Sequence, residues 1–385
     1  MLNRVLLFVV EGFGIGAMPD AADYGDADAR TLARLADSTD GLNLPTLENL
    51  GLGHLTDVKG IRVVAQPTGC FGRLGFRSKE LDSLFAHWEL AGCVADGEGS
   101  EFGEGFHPRL IGEVEEVVGR KVLGGTIESL SGAWSRHGVE HLSSGAPIIW
   151  SDGRRTCHIA AHERAMRAEE LFQRSRELRR ALKEAWGIWR IVAHALTGEV
   201  TAVVGRAGRR DFAVEPPNQT MLDVLNRASQ ILTGVGKVGD LFSGRGLTRS
   251  VPSWSWESTM DEVQGMLNKV PRGLVYSHLD LFDQPSSESA GALMAFDRRL
   301  SQLLEQLRAG DLLILTGDHG RDAAKSHGRP TREYVPLLMT GPKLAQGVNL
   351  GTRATGTDVA QTIVEALQGE PLAMGDSMLD ALQAG

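Results

Sequence analysis

Val5-Leu-Leu-Phe-Val-Val10 runs directly into Glu11-Gly-Phe-Gly-Ile-Gly16. An unbroken valine- and leucine-rich run this short predicts a strand buried on both faces, as in the middle of a parallel sheet. The glycines predict a tight turn, and Glu11 falls at the strand's carboxyl end, where open α/β sheets gather functional groups. Gly12, Gly14 and Gly16 do not meet the G-x-G-x-x-G spacing of a dinucleotide site, and Met18-Pro19-Asp20 interrupts the helix such a site needs. The run is far shorter than the roughly 20 apolar residues that cross a bilayer. It also lacks the build of a secretory signal, because Glu11 follows at once.

The same texture recurs outward from this strand. Helices are predicted within 28–52 and over 79–92, with strand-like stretches between 60 and 76. In the last third, helices are predicted at 218–228, 258–268, 290–308 and 357–366, alternating with strands at 231–235, 273–279, 312–315 and 335–339. Strands alternating with helices predict a mainly parallel sheet. Between these blocks Asp96-Gly-Glu-Gly-Ser-Glu-Phe-Gly-Glu-Gly105 reads as a crossing between domains. Beyond it the pattern predicts a helix at 109–118, strands at 121–123 and 147–150, a charged helical region over about 163–193 and a strand at 200–204. The fold class is therefore α/β: a helix-flanked core domain made of residues 1–96 and 218–385, interrupted by a smaller α/β cap at 97–217.

A chain of 385 residues is long enough for two such cores. Forty basic and 49 acidic residues give a net charge of −9, which argues against nucleic acid as a partner. Cys70, Cys93 and Cys157 form neither a disulfide framework nor a zinc-knuckle spacing. They read as buried thiols of a protein from a reducing, cytoplasmic compartment.

The chemistry-bearing residues collect at strand ends. Strand 312–315 runs into Thr316-Gly-Asp-His-Gly320, so Asp318 and His319 stand beside Glu11 as candidate ligands for zinc or manganese. His278 and Asp280 lie on a predicted strand and read equally as structural or functional. His87, in His87-Trp-Glu89, reads either as an internally bonded histidine or as a ligand contact. Arg206, Arg209 and Arg210 form a basic cluster in an acidic chain, either a solvated turn or an anion pocket, since guanidinium pairs bidentately with phosphate.

Six stretches, in order along nearly the whole chain, resemble the phosphopentomutase family of the alkaline phosphatase superfamily. They are Phe13–Asp26, Leu44–Gly53, His87-Trp-Glu89, Ile159-Ala-Ala-His-Glu163, Gly317-Asp-His-Gly320 and Thr331-Arg-Glu-Tyr-Val-Pro336. The resemblance implies an alkaline-phosphatase-like core with an inserted cap. It also implies interconversion of ribose or deoxyribose 1-phosphate and 5-phosphate with two manganese ions and a phosphorylated threonine. Matched residue by residue, the family's first metal-ligand aspartate falls on Glu11 and its threonine on Leu84, with Ser83 one position away. Two further metal ligands fall on Phe282 and Ser287, and the last metal histidine on Pro330, with His327 nearby. A cap aspartate falls on Arg154. Asp318, His319 and Arg209 are kept.

This pattern leads to the expectation of a non-catalytic homologue, a pseudoenzyme without a cofactor and with no catalytic residue. It would bind a phosphorylated sugar, a nucleotide or a protein partner through Arg154, Arg209 and His87. A single manganese or zinc ion on Glu11, Asp318 and His319 is the alternative for the remnant site. An enzyme with repurposed chemistry and a phosphopentomutase proper are the alternatives for function.

Overall fold

The computed structural model describes residues 2–97, 105–153, 155–182, 186–198, 205–253, 255–282, 287–325 and 329–383. In chain order its strands are β1 Arg4–Val10, β2 Cys70–Leu74, β3 Leu123–Ile127, β4 Ile148–Ser151, β5 Thr156–His162, β6 Arg190–Thr197 and β7 Gly205–Ala213. The remainder are β8 Leu232–Val235, β9 Arg249–Val251, β10 Gly273–Leu279, β11 Asp311–Gly317, β12 Val335–Thr340 and β13 Asn349–Arg353. The chain divides into two compact units. One comprises Met1–Asp96, Pro216–Gly239 and Gly244–Gly385; the other comprises Gly97–Glu215 with Asp240–Ser243.

The first unit is built on an eight-stranded sheet in the order β13-β2-β12-β11-β1-β10-β8-β9. From β11 through β9 every pair is parallel, while β12 runs antiparallel to both β11 and β2. All seven residues of β1 are buried, as an apolar run covered on both faces requires. Leu6, Phe8 and Val10 pack with residues of the helices Thr31–Asp37, Pro45–Leu50, Trp256–Leu267 and Ser287–Leu304. The register places Val10 beside Leu279 of β10 and Gly317 of β11. Three neighbouring parallel strands therefore end level, and the residues just past them share one rim.

Two glycines in the first turn serve close approach. Gly12 has φ of +74°, and its N–H donates to Asp318 Oδ1 at 2.9 Å. At Gly14 a Cβ would stand 2.5 Å from Glu333 Oε2 and 2.6 Å from the Gly320 backbone. The glycines thus bring β1 and β11 turns together, which is a different use from cradling a dinucleotide.

The second unit carries a five-stranded mixed sheet, β3-β4-β5-β6-β7. The helices Pro108–Val118 and Ala168–Ala181 bury Leu110, Val114, Leu171 and Leu178 against Ile149, Ile159 and Ile191. The helical reading of 163–193 fails at its end. The helix stops at Ala181, Gly187 adopts φ of +64°, and Arg190–Thr197 is a strand between β5 and β7. A short apolar run such as Ile191-Val-Ala-His-Ala-Leu196 has no periodicity that separates strand from buried helix, and pairing on both sides decided it. The strand expected at 200–204 lies outside the described residues.

Among the described residues no helix is long and apolar enough to cross a membrane. All three cysteines are free and buried. Burial pushes the Cys157 thiol up to about 12 and raises Cys70 and Cys93 as well. Since the thiolate is the reactive species, native protein is expected to leave Ellman's reagent essentially unreacted at pH 8. Denatured protein should release three equivalents of chromophore; rapid native labelling would contradict the buried placement.

Candidate active site

The level ends of β10, β1 and β11 bring His278, Glu11 and Asp318 together. Glu11 leaves β1 with its N–H bonded to Leu279 O at 2.9 Å. Its Oε2 accepts from Lys237 Nζ at 2.6 Å and His278 Nε2 at 2.9 Å, and its Oε1 accepts from Arg321 Nη2 at 2.7 Å. Burial opposes ionisation of Glu11, but Lys237 and Arg321, with the His278 hydrogen bond, outweigh it and hold the carboxyl well below the usual carboxylate range.

Behind Glu11 runs a buried chain of polar contacts. Tyr276 Oη lies 2.8 Å from His87 Nδ1, and His87 Nε2 lies 3.1 Å from His278 Nδ1. Burial, with His278 alongside, drops the pKa of His87 to about 3, so its ring carries one proton near neutrality. His278 Nε2–H donates to the Glu11 carboxylate, so its Nδ1 carries a lone pair. Tyr276 Oη donates to the His87 carbonyl at 3.3 Å and accepts from His87 Nδ1–H, so His87 Nε2 presents a lone pair toward the same place. His87 is fully buried, inside this chain of contacts.

The helix Ser83–Leu90 sets a hydroxyl against the same rim. Asp82 caps it, accepting from Leu84 N at 2.7 Å, which fixes Ser83 as the first helical residue. Ser83 Oγ lies 3.2 Å from His319 Nε2. His319 Nδ1 lies 2.9 Å from Gly320 O, a carbonyl that only accepts, so Nδ1 carries the proton and Nε2 presents its lone pair to Ser83. Burial lowers the pKa of His319, keeping the ring uncharged. Leu84 turns into the core at 1% exposure. One position on a helix is about 100° of rotation, and here that rotation puts the serine, not the residue matched to the family threonine, at the site.

Two of the stretches that carry the family resemblance scaffold the site. Glu333 accepts from Gly16 N, Thr31 N, Thr31 Oγ1 and Thr331 Oγ1. Arg332 bonds Asp20 and the carbonyls of Phe76 and Ser78. Both side chains tie the loops after β1 and β2 to the segment before β12. A small, open pocket lined by Asp82, Ala86, Asp318, His319, Arg332 and Glu333 among others reaches Asp318 and His319.

The residues present fit one divalent ion beside Asp318. Asp318 is 1% exposed, and its Oδ2 has no hydrogen-bond partner although it lies 3.4 Å from His319 Nε2. His87, His278 and Asp318 each offer a ligand atom, and these atoms lie within 4.8 Å of one another. Carboxylate with two imidazoles is a donor set for zinc or manganese.

A family model for the metalloenzyme superfamily matches residues 3–371. A phosphopentomutase of Caldanaerobacter subterraneus is 36% identical over 99% of this chain and 98% of its own length. The chain belongs to the phosphopentomutase family. A second relative, the phosphopentomutase of Clostridium novyi, is 34% identical over 98% of this chain and 99% of its own. A solved Pyrococcus horikoshii protein aligns with a TM-score of 0.48 at 16% identity, covering 96% of this chain and 97% of that one. Membership corrects one expectation. A cofactor-free protein conflicts with a metalloenzyme superfamily match and with the buried His87–His278–Asp318 cluster.

Each of the other expected site residues is placed by its own contacts. Phe282 is fully buried and stacks on Phe13, with ring centroids 6.0 Å apart, so it contributes packing and a carbonyl. Pro330 is half-buried. Arg209, on β7, bonds Asp211 at 3.1 Å. Arg154, His327 and the Ser287 side chain lie outside what is described. Lys237, Arg321 and Tyr276 were not singled out from the sequence; the only signal for Arg321 was its position directly after Asp318-His-Gly320.

Proposed function

We propose that the chain is a phosphopentomutase acting on a ribose or deoxyribose phosphate, with Ser83 as the hydroxyl that carries the phosphoryl group. The observation that supports this most directly is the Ser83 Oγ–His319 Nε2 contact at 3.2 Å. In the proposed step His319 Nε2 takes the Ser83 proton as Oγ bonds phosphorus. The sugar oxygen leaves and receives that proton, and the reverse transfer delivers the phosphoryl group to the other sugar position. A divalent ion held by Asp318 with His87 and His278 would supply positive charge against the phosphoryl oxygens. In this reading Asp318 is a ligand, His319 serves Ser83, and Glu11 stays in its ion pairs.

Full-length relatives that are phosphopentomutases favour this reading over the non-catalytic one, and a small phosphorylated sugar over a protein partner. The test is direct. With Mn²⁺ and ribose 1-phosphate, purified protein is expected to produce ribose 5-phosphate, followed by ³¹P NMR. No conversion by protein that demonstrably holds manganese would sink the proposal.

A further inference from the structure

We infer that Lys237 and Arg321 stand in the place of a metal ion at Glu11, so that this cleft is a one-metal site with a built-in organic charge. The inference takes from the functional reading only the premise that a divalent ion belongs in the cleft.

Glu11 sits at the end of the central strand, matched to a metal-ligand aspartate, yet both its oxygens are engaged by nitrogen donors. Arg321 Nη2 holds Oε1, while Lys237 Nζ and His278 Nε2 hold Oε2. The two cations are themselves anchored. Lys237 Nζ also meets Asp280 Oδ2 at 3.2 Å, and Arg321 Nη1 donates to the Phe282 carbonyl at 3.2 Å. They arrive from the end of β8, beyond the rim, and from the end of β11, within it. Lys237 follows β8 through Gly236, whose φ is +74° and where a Cβ would stand 2.8 Å from His278 O. Arg321 follows β11 through Gly320. Both side chains are largely buried, at 13% and 11% exposure.

A metal ion on Glu11 would have to displace these ammonium and guanidinium contacts and then sit beside both charges. In a poorly screened site like-charge repulsion of that kind is severe. Asp318 Oδ2 is different, since it has no hydrogen-bond partner to displace. The charge that a second ion would bring is therefore already supplied covalently, and chelators cannot remove it.

The test counts ions by plasma mass spectrometry after equilibration with Mn²⁺ and gel filtration. Wild-type protein is expected to hold one Mn²⁺ per chain, and Glu11→Gln is expected to hold one as well. The double variant Lys237→Met/Arg321→Met is expected to rise to two, with a melting temperature that recovers on adding Mn²⁺. Two ions per wild-type chain, or loss of the single ion in Glu11→Gln, would overturn the inference. Should the double variant fail to fold, the wild-type and Glu11→Gln counts still decide. One ion without ribose 1-phosphate turnover would defeat the functional proposal and leave this one standing, whereas turnover with two ions would do the reverse.

Discussion

Ser83→Ala is expected to lower kcat for ribose 1-phosphate by on the order of 10⁴-fold or more, since loss of a covalent nucleophile removes the route and not merely a contact. The melting temperature should hardly move, because among the described residues the Ser83 side chain hydrogen-bonds His319 alone, at 3.2 Å, and that partner lines an open pocket. KM should change little, as Ser83 is asked to act on the reacting phosphorus and not to hold the sugar. Ser83→Thr keeps a hydroxyl at the first helical position and should retain measurable turnover. If the alanine variant kept wild-type kcat, Ser83 would carry no phosphoryl group and the chemistry would lie elsewhere on the rim.

The largest stability effect is expected at Glu89. It is fully buried, yet among the described residues none of its hydrogen bonds comes from a basic side chain. Its carboxylate instead accepts from Arg77 N at 2.9 Å, Ser78 N at 2.9 Å, Thr355 Oγ1 at 2.7 Å and Gly356 N at 3.1 Å. These donors belong to the loop that leads to the Ser83 helix and to the start of the helix Thr357–Ala366. Glu89→Ala leaves the Ser78 and Gly356 N–H groups buried without an acceptor and strips the partly buried Arg77 N–H and Thr355 hydroxyl of theirs; each buried group so orphaned costs about 1–3 kcal/mol. Partial relaxation keeps the sum near ~4 kcal/mol. Denaturant unfolding should show this loss. Glu89→Gln, with one acceptor oxygen left, should lose about half as much. A loss below about 1 kcal/mol in the alanine variant would mean that water replaces the carboxylate and that the loop is not held by it.

Much of this was legible along the chain. The strand at Val5–Val10, the strand ending in Asp318-His319 and the alternation in the last third follow from runs of apolar residues broken by turn residues. Such patterns report burial locally. The expectation of a cofactor-free site failed for a different reason. His87 and His278 read equally well as structural residues along the chain, and they become neighbours of Asp318 only through a helix and a strand nearly 200 residues apart.

The sequence by itself determined the α/β class, family membership and the grouping of Glu11, Asp318 and His319 at strand ends, because periodicity and strand-end position are properties of consecutive residues. Tertiary structure alone decided what those groups touch. The rotation of the Ser83 helix set by its Asp82 cap turned the serine, and not Leu84, to His319. The level register of β10, β1 and β11, with β8 beyond, brought His278, Lys237 and Arg321 onto Glu11. Whether a carboxylate is a metal ligand or half of an ion pair depends on which charges stand within about 3 Å of it, and those charges come from parts of the chain that no local pattern connects.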